Sequence, residues 1–455
     1  MSLSDRLETA RRPVDPTGAI RAPENRESPQ TQALTGLKER AIATLLDRVG
    51  SRITDSTISD DQLRKVVRDE LAEIIASEQM LLTGDERRQL IKDIEDDALG
   101  LGPLQRLLDD PTVSEIMVNS HQRVYVERSG RLIDSGVRFQ SEEQLRRVIE
   151  RIVSRVGRRI DDSSPMVDAR LQDGSRVNAV IPPLAVHGSS LTIRKFSDKP
   201  FHAADLVRFG TMSQPVAELL HACVEARLNV LVSGGTGSGK TTLLNVLSSF
   251  IPSTDRIVTI EDAMELKLMQ DHVVTLESRP PNIEGKGEIS IRDLVRNSLR
   301  MRPDRLVVGE VRGGEALDML QAMNTGHDGS LSTLHANSPR DSIARLETLV
   351  LMAGMDLPLR AVREQIASAV DLVVQLTRLR DGSRRITYVT EVLGMEMDTV
   401  VLQDVFTFDH HAGLDPSGKL RGTQQFTGIR PRFIEKFEEH GIAFDVERFM
   451  ARVGA

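Results

Sequence analysis

Hydrophobic positions along this chain change their period several times, and each change marks a new segment. From Leu34 the period is helical. Leu37, Ala41, Leu45, Leu46 and Val49 fall on one stripe, and Leu63, Val66, Val67, Leu71, Ile74 and Ile75 on a second. Thr83 and Glu86 have the spacing of a capping box that opens a third helix through Leu90, Ile91 and Ile94. Residues 34–98 are therefore expected to form a small helical bundle; a docking module for a partner is the alternative. Residues 99–196 read as an α+β domain. Short alternating runs at Glu115–Asn119 and Val124–Glu127 lead into a Ser129-Gly130 turn and a next strand. A helix is expected over Glu142–Val156, then strands at Ser175–Ile181 and Ser190–Phe196, with Pro182-Pro183 breaking the chain between them.

Residues 197–210, with Pro200 and Gly210, read as a linker and hinge. Beyond it, apolar runs and helical stripes alternate. Strands are expected at Asn229–Ser233, Arg256–Glu261, His272–Leu276, Arg305–Val311 and Leu331–His335, and helices at Thr241–Phe250, Ile291–Met301, Gly314–Met323 and Pro339–Met352. That order predicts a mainly parallel sheet covered by helices, an α/β domain over 211–392. Residues 393–455 read as a mixed C-terminal subdomain with a helix near Pro431–His440. Residues 1–33 are polar and aperiodic and are expected to be a disordered tail.

Composition sharpens this in three ways. The chain has no Trp and only two Tyr, so its cores must rest on Leu, Ile, Val and Met. Its formal net charge of -8 and scarcity of stacking residues argue against a nucleic-acid binder. Cys223 is the only cysteine, read as a small buried hydrophobe, so neither an intrachain disulfide nor a cysteine zinc site can form. No run of eighteen apolar residues predicts a membrane span, and Met1–Arg12 lack the apolar core of a signal peptide; the expectation is a cytosolic chain that meets membranes through partners.

Val230–Thr242 joins an apolar strand, a glycine-rich loop and a helix start. Gly234, Gly239, Lys240 and Thr241 match G-x-x-x-x-G-K-[ST]. In such a loop the glycines let successive N–H groups turn toward phosphate oxygens, and the helix N-terminus adds its dipole. The whole run Gly234, Gly235, Thr236, Gly237, Ser238, Gly239, Lys240, Thr241, Thr242 is thus the expected ATP-binding loop. Lys240 should reach the β- and γ-phosphates, and Thr241 should hold Mg²⁺.

Two strand ends carry acids. Leu306–Val308 leads to Gly309-Glu310, and Ile257–Ile260 leads to Glu261-Asp262 and then Glu265. Glu310, Glu261 and Asp262 are candidate Mg²⁺ ligands, and Glu310 or Glu261 a candidate to orient the attacking water. Glu265 ranks below Glu261 on this reading, and helix-start capping is the alternative for Asp262. His327 and His335 lie close in sequence without metal-site spacing. Each reads either as a sensor of the γ-phosphate that signals a neighbouring subunit or as a structural hydrogen-bonding group.

These segments, in this order, resemble a known family. Gly234–Thr242, Ile260–Asp262, Val308–Arg312 and Thr325–Asn337 resemble the Walker A, Asp box, Walker B and His box of type II/type IV secretion ATPases. Leu99–Leu104, Ile116–Asn119, Ser190–Phe196 and Leu276–Asn282 resemble most the Tad/Flp pilus assembly ATPase of CpaF type, and the likeness extends over residues 85–395. The resemblance implies a RecA-like P-loop motor domain behind an α+β, PAS-like N-terminal domain. It also implies a homo-hexamer using ATP and Mg²⁺ at the cytoplasmic face of the inner membrane, driving a platform protein. It implies arginines donated from the N-terminal domain, for which Arg170, Arg176 and Arg194 are the candidates; a plain surface role is the alternative for each. The missing four-cysteine insertion favours the Tad branch, with type IV pilus retraction motors close by. The rivals are a RecA-like nucleic-acid translocase and a nucleotide-gated scaffold without turnover.

Overall fold

The structure, a computed structural model, describes residues 36–38, 40–45, 47–49, 60–78, 82–128, 130–171, 173–196, 200–281, 286–414, 418 and 420–453. The expected tail over 1–33, together with Leu34, Leu46, Ser129, Asn282 and residues 197–199 of the expected linker, lies outside the described residues. The chain divides into two compact units, Met1–Val126, Ile133–Leu171 and Val177–Ile193 forming one, and Glu127–Leu132, Gln172–Arg176 and Arg194–Ala455 the other.

In the first unit the helical stripes meet. Leu37, Ala41, Leu45 and Val49 pack with Val67, Leu71, Ile74 and Ile75 of helix Asp60–Ser77 and with Leu90 and Ile94 of helix Gly84–Ala98. The capping box forms: the Glu86 amide donates to Thr83 Oγ1 at 3.2 Å, and the Thr83 amide donates to Glu86 Oε2 at 2.8 Å. A second core surrounds helix Glu142–Arg155, whose Ser141 cap accepts the Gln144 amide. Arg151 of that helix donates to the Asp97 and Gly100 carbonyls at 3.0 and 2.6 Å, satisfying groups left open where helix Gly84–Ala98 ends.

Six strands form the first sheet: β1 (Val113–Ser120), β2 (Arg123–Arg128), β3 (Arg131–Asp134), β4 (Met166–Arg170), β5 (Arg176–Val180) and β6 (Ser190–Arg194), in the order β3-β2-β1-β6-β5-β4.

The second unit is built on nine strands: β7 (Val230–Gly234), β8 (Ile257–Glu261), β9 (Val273–Glu277), β10 (Arg305–Val308), β11 (Leu331–Leu334), β12 (Leu372–Arg378), β13 (Arg384–Glu396), β14 (Thr399–Phe408) and β15 (Gln424–Phe426). Their order is β15-β14-β13-β12-β7-β11-β10-β8-β9, with β7 in the middle. From β12 to β9 the pairs are parallel, as the alternation of strands and helices predicts. β13, β14 and β15 extend the sheet antiparallel.

Strict period-two alternation feeds two cores. Val230, Val232, Val307 and Leu372 face one with helices Gln214–Glu225 and Lys240–Ser248. Leu231, Leu306, Val308 and Val373 face the other with helices Glu315–Asn324, Pro339–Leu351 and Leu359–Ala369. Cys223 is fully buried in the first, as its apolar surroundings predict. The scarce aromatics gather at the C-terminal end, where Phe437 packs on Phe433 and Phe444, and Phe406 on Phe426.

Within the expected linker, helix Ala203–Arg208 forms, capped at His202 by Asp205. β13 runs unbroken through residue 393. No helix among the described residues is long and apolar enough to cross a membrane.

Candidate functional site

The site grows from the C-terminal end of β7. All five residues of β7 are buried. Gly234 leaves no room for a side chain: a Cβ there would lie 2.5 Å from Ser238 Oγ and 2.6 Å from the Leu376 carbonyl. Gly237 and Gly239 take φ of +68° and +98°, which L side chains rarely adopt, and this turns the loop back onto the start of helix Lys240–Ser248. The Ser238 hydroxyl is buried and meets no protein partner, a donor of the type a phosphate oxygen requires.

Lys240 is nearly buried, with Nζ 3.1 Å from the Gly235 carbonyl and 3.2 Å from His335 Nε2. Burial lowers its pKa; Arg312 and Arg194 add to that, while Glu310 and Glu265 oppose it. His335, just past β11, places the same Nε2 2.9 Å from Glu310 Oε1. The other oxygen of Glu310 accepts Arg312 Nη2 at 2.7 Å. Burial alone would raise the Glu310 pKa, but the hydrogen bond and charge of Arg312, with His335 and Lys240, hold it below the usual carboxylate range. His335 is held below its ordinary value by burial and by the Lys240 charge. The structure thus brings Lys240, Glu310 and His335 together across β7, β11 and β10, adjacent in the sheet.

The acids after β8 separate by role. Glu261 is only 3% exposed and its pKa is raised to about 7, chiefly by burial. Its oxygens accept the amides of Glu265 at 3.0 Å and Leu266 at 3.1 Å. Gly309 makes room for it, since a Cβ there would lie 2.8 Å from Glu261 Cγ. Glu265 instead faces a cleft lined by Thr241, Thr242 and Phe196. There its Oε1 meets Arg176 Nη1 at 2.7 Å and Arg194 Nη1 at 3.9 Å. Both arginines belong to the second unit, at the ends of β5 and β6. Asn245 ties the same loop to the helix behind the phosphate loop by accepting the Lys267 amide at 2.9 Å. Asp262 is held by Arg312 Nη1 at 2.9 Å and by Ser278 Oγ at 3.1 Å.

His327 stands elsewhere, and Arg170 belongs to the other unit. Arg170 ends β4 in the first unit. His327 lies four residues before β11, whose first residue pairs with the first residue of β7. That is the edge of the sheet opposite the phosphate loop, and the structure does not bring His327 to Lys240 within the protomer.

Sequence reasoning passed over Arg384, whose Nε donates to the Gly237 carbonyl in the phosphate loop at 2.9 Å. It also ranked Glu265 below Glu261 and quoted Arg312 only as part of a motif.

Mg²⁺ takes few protein ligands and fills its octahedron with phosphate oxygens and water. Among the described residues no three His, Cys, Asp or Glu side chains converge as a metal cage. The Thr241 hydroxyl and the ionised Glu310 fit that chemistry.

Comparisons with known proteins supply the family. The sequence matches the family described as Type II/IV secretion system protein over residues 97–410. A protein of Mycobacterium tuberculosis (strain ATCC 25618 / H37Rv) named for conjugal transfer is 40% identical over 299 residues, covering 64% of this chain and 84% of its own length. The conjugal transfer protein TrbB of Rhizobium radiobacter is 34% identical over 294 residues, covering 64% of this chain and 85% of its own. Among solved structures, the VirB11 ATPase of the Brucella suis type IV secretion system is 32% identical, covering 63% of this chain and 91% of that one, with a TM-score of 0.35. Because the family match takes in more than half of the sequence, including both motif-bearing strand ends and the phosphate loop, the chain belongs to the type II/IV secretion system protein family.

Proposed function

We propose that this chain is an ATPase that couples hydrolysis to mechanical work in a secretion or pilus-assembly machine. The observation that carries the reading is the meeting of Lys240, His335 and Glu310 at one mouth of the parallel sheet, beside Arg176, Arg194 and Glu265. The loop Gly234–Thr242 binds the triphosphate, with Lys240 on the β- and γ-phosphates. Thr241 and Glu310 would hold Mg²⁺, which would supply charge neutralisation there, with Glu261 and Asp262 the other candidate ligands expected from the sequence. Glu265 faces the cleft and orients the attacking water, a task the sequence leaves open to Glu261 or Glu310. Arg176 and Arg194 spread the charge that develops on the transferred phosphoryl group. His327 acts in the same reaction only from a neighbouring subunit, and Arg170 is the third candidate arginine expected from the family resemblance.

The assembly we propose is a homo-hexamer whose protomers swing at the segment 197–210 and act on an inner-membrane platform protein at its cytoplasmic face. The family membership and the relatives named for conjugal transfer support a secretion machine. The segments Leu99–Leu104 and Ser190–Phe196 support the Tad/Flp pilus branch within it.

The deciding experiment compares wild type with Lys240→Ala in steady-state phosphate release with Mg²⁺, alongside mass by light scattering. We expect release to fall by at least a hundredfold and the wild type to run as a six-subunit species with nucleotide. Near-wild-type turnover by the variant would remove the site assignment. Turnover that rises steeply with single-stranded DNA would replace the reading with a translocase.

A further inference from the structure

The hydrogen bonds that begin at Lys240 do not end at Glu310. Lys240 Nζ lies 3.2 Å from His335 Nε2, and His335 Nε2 lies 2.9 Å from Glu310 Oε1. Glu310 Oε2 accepts Arg312 Nη2 at 2.7 Å, and Arg312 Nη1 donates to Asp262 Oδ2 at 2.9 Å. Asp262 Oδ1 accepts Ser278 Oγ at 3.1 Å. These residues follow β7, β11, β10, β8 and β9, which is the order of neighbours in the sheet. One line of charge-assisted contacts therefore crosses five strands along their C-terminal ends.

Arg312 is the member that joins the two halves. Its guanidinium forks between Glu310 and Asp262 with one nitrogen on each, a planar geometry that a lysine ammonium lacks. Its backbone is fixed separately: the amides of Arg312 and Gly313 both donate to Glu315 Oε1, at 2.6 and 2.8 Å. At the inner end, His335 offers one nitrogen to two neighbours. Nε2 accepts from Lys240 or donates to Glu310, never both at once, so the imidazole is a two-position element. At the outer end, Ser278 begins the segment in which Arg279 pairs with Ile289 and leads to the Ser290 cap of helix Ile291–Ser298.

We infer that Arg312 is the positioning residue of Glu310, and that through Asp262 and Ser278 it carries the occupancy of the phosphate loop to the outer strand β9. The inference rests on the nucleotide-site reading above. A cation or its bound water at Glu310 competes with His335 and Arg312 for the carboxylate, since each oxygen already carries one of them. When Arg312 shifts, it takes Asp262 and the Ser278 contact with it, and the backbone of β9 responds.

The test uses the full chain, with MgADP as the probe and two readouts: calorimetric affinity with and without Mg²⁺, and amide exchange of Val273–Ser278. In wild type, MgADP should change exchange in this strand by at least about threefold, a local-opening effect. Ser278→Ala should bind MgADP within about twofold of wild type and lose the exchange response, a change too small to threaten folding. Arg312→Ala should increase the gain in affinity that Mg²⁺ brings, and lower kcat by roughly ten- to a hundredfold, the scale of one charge-assisted hydrogen bond. Arg312→Lys should restore part of kcat and none of the strand response.

A wild-type-like response in Ser278→Ala and Arg312→Ala would overturn the relay. Unchanged kcat and Mg²⁺ dependence in Arg312→Ala would overturn the positioning role. Absence of MgADP binding by the wild type would take down the nucleotide-site reading and this inference with it, whereas binding without any response in β9 would take down this inference alone.

Discussion

The carboxylate of Glu261 accepts the backbone amide of Glu265 at 3.0 Å, so two acids four residues apart in one loop face opposite ways. Glu261 points inward and holds the loop by its amides. Glu265 points outward, to Arg176 and the cleft beside Thr241. The pair turns a simple question, which acid does the chemistry, into two separable ones.

Replacing Glu265 by Gln is expected to lower kcat by roughly 10²- to 10³-fold, the scale of a lost general base. ADP affinity and urea midpoint should stay near wild type. Replacing Glu261 by Ala leaves the amides of Glu265 and Leu266 without their buried acceptor and should cost about 1–3 kcal/mol of stability. Urea melts and single-turnover kinetics on the two variants check this; equal kinetic losses with equal melts would contradict the division.

Arg384 braces the phosphate loop from a strand far away in sequence, through the Gly237 carbonyl. It is exposed, so its contact is screened. Arg384→Ala should weaken ATP binding by roughly fivefold, about 1 kcal/mol, with the melting temperature unchanged. Titration with a fluorescent nucleotide measures it.

Arg305 is 1% exposed and donates to Asp255 at 2.7 Å and to the Val224 carbonyl at 2.9 Å. Arg305→Met strips the nearly buried Asp255 of its closest cation, leaving Arg227 at 3.2 Å. A loss of about 3–5 kcal/mol is expected in urea denaturation. Adding Asp255→Asn should recover part of it, because the uncompensated charge is then gone.

Asp96 gives the helical bundle a pH dependence. It is 5% exposed, and burial above all raises its pKa to about 6, with Glu95, Asp109 and Asp93 adding to the effect against Lys92. Between its ordinary value of 3.8 and about 6 the folded chain holds a proton that the unfolded chain releases. Stability should therefore fall as pH rises through that window and level off above it. Asp96→Asn should flatten that part of the profile, as read from denaturant midpoints at stepped pH.

The parts of this molecule that speak in sequence are those whose neighbours along the chain are also their neighbours in space. β7, β8, β10 and β11 are buried parallel strands, and each reads as an apolar run stopped by a glycine, an acid or a histidine. That pattern puts Lys240, Glu310 and His335 just past strand ends, where the structure brings them together. It is not enough to separate His327 from His335, because the intervening strand sends one to each edge of the sheet. Nor does composition say which of Glu261 and Glu265 turns inward; that depends on Gly309 of another strand leaving space. β12, β13 and β14 escaped assignment for a local reason. Gln375 interrupts the apolar run of β12, and the alternation of β13 is interrupted by bulges at Val389/Thr390 and Val392/Gly394.

The central place of β7 has a mechanical consequence. Four strands flank it on either side, so a pull or twist entering at β15 or at β9 must cross four hydrogen-bonded ladders before it reaches Gly234. In a working machine the compliant parts are the rims of the sheet, and the amides of β7 should be the slowest in the chain to exchange with solvent.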